Sequence, residues 1–223
     1  MKRIFAAIAA IGLWNSTNAQ SAQPLSQGTV TYQVQDATEG MPATATLKFN
    51  KTRTRWEWKS KDETEVQIVQ PDANTGGVLY SEKGAKYFNP FEEGELLYYT
   101  APSVRESKNT AEKTTVAGVP ATRFNLVLQD PVSGDMHETD AWIDVTTTST
   151  VPSIGGIPGK MGLPLDFEMR YNGSTLHLKA TAISKTPVDA ALFTIPKGLS
   201  KKEESKVLQD PPKLREGEPV QSK

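Results

Sequence analysis

The chain has 223 residues, no cysteine and only two histidines. Without cysteine there is no disulfide framework, no iron–sulfur ligation and no thiol nucleophile. Neither His137 nor His177 lies in a zincin or zinc-finger spacing, so no metal centre is expected. His137 is flanked by Asp135, Glu138, Asp140 and Asp144. In a strand, Glu138 and Asp140 share one face while His137 points to the other, which reads as a solvated strand rather than a surface metal site. No G-x-S-x-G elbow or supported S-x-x-K pair occurs. The carboxylate pairs Glu92–Glu93 and Glu203–Glu204 fall in a turn and in the C-terminal tail. No catalytic residue and no cofactor is assigned. Lys and Arg total 25 against 26 Asp and Glu, a formal charge of −1. That balance argues against a nucleic-acid partner, which would need a clustered basic face.

Long apolar runs are equally scarce. Ile4 to Trp14 forms one, behind Lys2 and Arg3 and ahead of the small residues of "TNAQ". It is shorter than the roughly 20 residues that span a bilayer. The three regions together predict a signal peptide over 1–19, cleaved after Ala19, against the alternative of a buried N-terminal helix. Export places the protein in the periplasm or outside the cell, not spanning a membrane. Loss of Lys2 and Arg3 takes the charge from −1 to −3. A linker is expected over 20–27, one β domain over 28–199 and a disordered tail over 200–223, where charge and proline leave too little apolar surface to offset ordering entropy.

What the chain does have is alternation with a period of two. Val30, Tyr32 and Val34 share one face of "TVTYQVQ", and Ala43, Ala45, Leu47 and Phe49 one face of "ATATLKF". Trp56 and Trp58 alternate with Arg53, Arg55, Glu57 and Lys59. Similar short runs include "TEVQIVQ", "GGVLYS", "AKYFN", "ELLYYT", "ATRFNLVLQ" and "HETDAWIDV". "SVRESKNTAEKTT" reads equally as loop or short helix, and "TPVDAALFTIP" as one helical turn before a final strand. In "LDFEMRYNGSTLHLKATAI", Asn172-Gly173 is the dipeptide suited to a two-residue type I′ turn, which predicts a hairpin. The fold class is therefore mainly β with little helix: a single antiparallel sheet, strongly curled into a half-open barrel because a flat sheet of this size leaves long exposed edges.

Before that hairpin, "IPGKMGLPLDF" stiffens the backbone with Pro158 and Pro164 and loosens it with Gly159 and Gly162. It reads as a shaped connection into Leu165; a rim over a cavity is the functional alternative. "DAWID", "IPGKMGLPLDFEM", a hairpin and "VDAALFTIPKGL" follow in order over residues 138–199. This arrangement resembles bacterial secreted families similar in layout to the LolA/LolB-type lipoprotein-carrier superfamily and the GLPGLI family. The resemblance implies a half-open β-barrel around an apolar concavity that holds acyl chains in some members. This chain lacks a set of amphipathic lid helices and has no cavity arginine placed by motif.

Aromatic residues concentrate between positions 56 and 99. They read as core filler or as the lining of an apolar pocket. On the second reading the ligand contacts are Trp56, Trp58, Tyr80, Tyr87, Phe88, Tyr98, Met161, Phe167 and Met169. Two functions follow. One is a periplasmic carrier-type module holding a lipid or lipoprotein acyl chain. The other is a structural or interaction protein of the envelope with a filled core, no ligand and an envelope-protein partner.

Overall fold

A computed structural model describes residues 26–35, 41–92, 95–100, 103–129, 134–147, 153–171 and 174–202. The expected signal peptide lies outside them. The described chain is mainly β. Strands β1 (Gln27–Gln35), β2 (Thr44–Asn50), β3 (Arg53–Lys59), β4 (Glu63–Gln70), β5 (Thr75–Glu82) and β6 (Ala85–Pro90) form a meander. After α1 (Glu95–Thr100) come β7 (Val104–Val116), β8 (Val119–Gln129) and β9 (Met136–Asp144). The short pair β10 (Ser153–Ile154) and β11 (Ile157–Pro158) precedes β12 (Leu163–Tyr171) and β13 (Ser174–Ser184). Eleven strands make one antiparallel sheet in the order β6-β5-β4-β3-β2-β1-β13-β12-β9-β8-β7. The first and last strands of the main sequence thus meet at its centre.

Alternation explains the two faces. Val30, Tyr32 and Val34, Ala45, Leu47 and Phe49, and Trp56 and Trp58 are buried on one side. Leu126, Ile143, Leu165, Phe167 and Leu178 join them in a single apolar cluster. Intervening polar residues form the other side, where Lys48 and Arg55 both reach the Glu57 carboxylate, at 2.6 and 2.7 Å. Burial pushes the Glu57 carboxyl up, but hydrogen bonds from Lys48 and Arg55 outweigh it and hold the group below its ordinary value.

Three local expectations are revised. "ELLYYT" is not a strand but the short helix α1, in which Thr100 Oγ1 donates to the Leu96 carbonyl at 2.9 Å and Tyr99 stacks on Phe91 with centroids 4.6 Å apart. A short apolar run fits either structure, and this tertiary contact decides. "SVRESKNTAEKTT" is strand, because β7 pairs along β8. "DAALF" is a 3-10 turn over Ala190–Phe193, capped by Asp189, with no strand assigned after it.

The segment after β13 crosses the face opposite the main cluster as a strap, over the side where Arg55 and Glu57 stand beside buried Val66 and Ile68. Arg55 Nη1 donates to the Leu192 carbonyl at 3.0 Å, the Gln70 side-chain amide donates to the Phe193 carbonyl, and the Phe193 ring is fully buried. The strap then caps the edge of β6. The Phe88 amide donates to the Ser200 carbonyl at 3.0 Å. Asn89 Oδ1 accepts from the Lys202 amide at 2.8 Å, while Asn89 Nδ2 donates to the Lys202 carbonyl at 3.3 Å. The Lys202 ammonium meets Glu63 and Glu82 and lies 4.6 Å from the centre of the Tyr80 ring. The tail expected from Ser200 is therefore structured through Lys202; residues 203–223 lie outside the described residues.

A chain ending at Leu199 should unfold with about 1–3 kcal/mol less stability than one ending at Lys202, since it loses three main-chain-directed hydrogen bonds. Urea denaturation measures the difference. Faster amide exchange at Phe88 should appear only in the shorter form.

Candidate functional site

Five of the nine aromatic and methionine positions come together. Trp56, Trp58 and Phe167 are 4, 2 and 1 % exposed, and Met161 and Met169 pack half-buried against the same cluster. The rings touch each other. Trp56 stacks on Trp58 at 5.2 Å between centroids. Tyr32 lies 5.7 Å from Trp56 on one side and 5.7 Å, edge-on, from Phe167 on the other. Tyr32 carried no functional signal in the sequence beyond its place in the alternation. Yet its hydroxyl donates to the Pro164 carbonyl at 2.9 Å from full burial, and that burial drives the phenol pKa far above its usual value.

The other four positions stand apart. The register places Tyr80 and Tyr87 in the row of Trp58 and Glu65, directly opposite each other. Both are partly exposed, and Tyr80 is engaged by Lys202. Phe88 is on the opposite face, over Gly77, where a Cβ would strike its ring. Period two forces this, since Tyr87 and Phe88 are consecutive. The Tyr98 side chain lies outside the described residues.

Most of the glycine-proline stretch is buried, with Lys160 exposed. Ile154 and Ile157 pair with each other and sit in the core, joined by Gly155 and Gly156 at φ 57° and 83°, the two positive angles a type I′ turn needs. At Gly162, φ is 129°, and a Cβ would press into the Asp144 carbonyl and the Ile143 side chain. Only glycine lets β12 start this close to β9.

A hollow of about 500 Å³ lies over β7–β9, lined by Glu106, Lys108, Asn125, Val127, Glu138 and Asp140 among others. Beside it, Arg123 donates to Glu112 at 3.0 Å and to Asp140 at 2.5 Å, and Asn125 Nδ2 donates to Asp140 at 2.5 Å. The Arg123 hydrogen bond holds the Asp140 carboxyl below its ordinary value against a small opposing effect of burial. On the same face, His177 Nε2 lies 2.5 Å from Asp166 Oδ1, and Lys179 Nζ lies 3.4 Å from Oδ2. Among the described residues no three His, Cys, Asp or Glu side chains group to hold a metal, and no helix is long and apolar enough to cross a membrane. The lining is mostly polar and the hollow is open to solvent. No family model matches the chain, and no curated protein matches it.

Two measurements probe these contacts. Tyr32→Phe strands the Pro164 carbonyl and should cost about 1–3 kcal/mol in urea denaturation. Arg123→Gln should raise the Asp140 pKa toward the ordinary aspartate value, read by carboxyl-carbon NMR titration. Because the Asp140 pKa is depressed in the folded protein, its contribution to stability is present above the unfolded aspartate pKa and is lost as pH falls through the folded value.

Proposed function

We propose that this chain is a non-catalytic interaction protein of the bacterial envelope, exported through residues 1–19 to the periplasm or beyond and built on a filled β core. The carrying observation is the ring-on-ring packing of Trp56, Trp58, Tyr32 and Phe167. Side chains that would line an acyl site instead fill the space between strands. Binding then falls to the polar surface and the strand edges.

The proposal includes a strongly curled, half-open sheet. Eleven flat strands would be about 48 Å wide at the usual spacing. The chain crosses from edge strand β6 to the opposite edge strand β7 in residues 91–103, six of which are helical. Such a connector reaches roughly 35 Å. A flat sheet does not fit that tether. Contact between β7 and β13, which have three strands between them in the sheet order, also supports the curl, as does one cluster that includes both Trp58 and Val116. The resemblance to LolA/LolB-type families agrees with this shape.

Half-burial of Met161 and Met169 at the border of the core favours the second reading, an apolar-ligand carrier. Methionine adapts to varied apolar contacts. Native mass spectrometry after mild purification distinguishes the two. The interaction reading expects protein without lipid and no response from a fluorescent fatty-acid probe. Stoichiometric co-purified lipid overturns it in favour of the carrier.

A further inference from the structure

The two outer edges of the sheet differ. β6 is covered by the chain's own Ser200 and Lys202. β7 is the other terminal strand, and no described strand pairs with its outer side. Its far end is taken up by the fold, since Val116 is buried in the main cluster. Residues 105–109, by contrast, are exposed one after another.

Two irregularities bracket that stretch. The register against β8 shifts between Val104 and Glu106 and again between Asn109 and Lys113, which leaves residues 106–109 as regular ladder. In the second shift Ala111 takes φ 62°, and the local donors are used at home. The Ala111 amide donates to Asn109 Oδ1 at 2.7 Å and the Glu112 amide to Thr110 Oγ1 at 3.3 Å. Irregularities of this kind limit edge pairing. Here they confine it to one short segment. On an edge strand every second residue turns its main-chain N–H and C=O outward, so this segment presents them to an extended chain.

The charges choose the partner. Glu106 and Lys108 stand on one face, opposite Val127 and Asn125, and neither forms an ion pair among the described residues. Neighbouring charges are committed or out of reach. Arg105 donates to Gln129 Oε1 at 2.5 Å, while Glu112 and Asp140 both hold Arg123. Lys113 lies beyond the second shift. Glu138 is on β9, two strands in and about 10 Å from β7. Opposed residues of an antiparallel pair share a face, so two copies of β7 joined across a two-fold axis must be centred on a residue. Centred on Glu106 or on Lys108, the alignment sets like charges against each other. Centred on Ser107, it sets Glu106 of each copy opposite Lys108 of the other, twice, and Arg105 opposite Asn109.

We infer that residues 105–109 of β7 are a self-association edge, which pairs antiparallel about Ser107 with the same segment of a second copy and joins two sheets into one. Lysine on an edge is commonly a guard against such pairing. On this edge each Lys108 finds the Glu106 of the other copy, so the guard selects the register. The open hollow over β7–β9 borders the seam, because Glu106 and Lys108 line it. A contact this short buries less than a standard stable interface, so the dimer forms only at raised concentration. The inference goes beyond the interaction reading and does not depend on it.

The test is sedimentation equilibrium of the full chain from about 10 μM to about 1 mM. Expected are a monomer–dimer equilibrium and amide exchange in residues 106–109 that slows as concentration rises. Glu106→Lys and Lys108→Glu, each alone, should weaken dimerisation about tenfold, because each places like charges opposite one another twice. Both positions are exposed, and circular dichroism checks that the fold is kept. Mixed in equal amounts, the two variants should associate again, since one then offers an all-basic edge and the other an all-acidic one. A chain that stays monomeric throughout the range overturns the proposal. So does a dimer that both variants leave unchanged, or a mixture that fails to recover association. Protection at β6 instead of β7 overturns it in favour of exchange of the C-terminal strap. Lipid in the purified protein removes the interaction reading and leaves this result standing.

Discussion

The Tyr32 hydroxyl, donating to the Pro164 carbonyl, is the contact on which the middle of the sheet depends. β1 and β12 are separated by β13, so this bond reaches over a whole strand. A fully buried phenol needs a partner, and a proline carbonyl at the entry to β12 needs a donor once the regular ladder fails. Each satisfies the other. The Tyr32 ring is held between Trp56 and Phe167, which ties the β1–β3 half of the sheet to the β12–β13 half.

From that tie the rest of the architecture is arranged. Pro164 withdraws a donor just where Gly162 brings β12 against Asp144, and the register between β9 and β12 shifts there. The same residues that fix one half of the core therefore shift the register of the ladder in the other.

The opposite face is held by different physics. With no cysteine to staple the termini, the strap after β13 is fixed by a buried ring, by donors from Arg55 and Gln70, and by main-chain bonds to β6. Arg55 serves twice, pairing with Glu57 and capping the Leu192 carbonyl, as its forked donors permit. The strap thereby removes a sheet edge that would otherwise be exposed. The chain thus guards β6 with its own C-terminal segment and roughens β7 with bulges.

The alternating runs determined the strands and their faces. Trp56 and Trp58 against Arg55 and Glu57, and Asn172-Gly173 between β12 and β13, were legible because side-chain direction and turn geometry are local. The pairing Tyr171↔Ser174 is the two-residue connection that dipeptide favours. Local information could not decide "ELLYYT", which is helical because Tyr99 finds Phe91, nor the reach of the strap to Lys202, whose partners Glu63 and Glu82 are more than a hundred residues away. Nor could it separate core from lining among the aromatics. Trp56, Phe167 and Tyr32 meet only once β1, β3 and β12 are aligned, and Phe88 is turned away by the register of its strand. Composition and period determined what kind of sheet this chain makes. Which side chains fill the core, and how the C-terminal strap is held, was decided by contacts between residues far apart in sequence, because hydrogen-bond satisfaction and packing are properties of the assembled core.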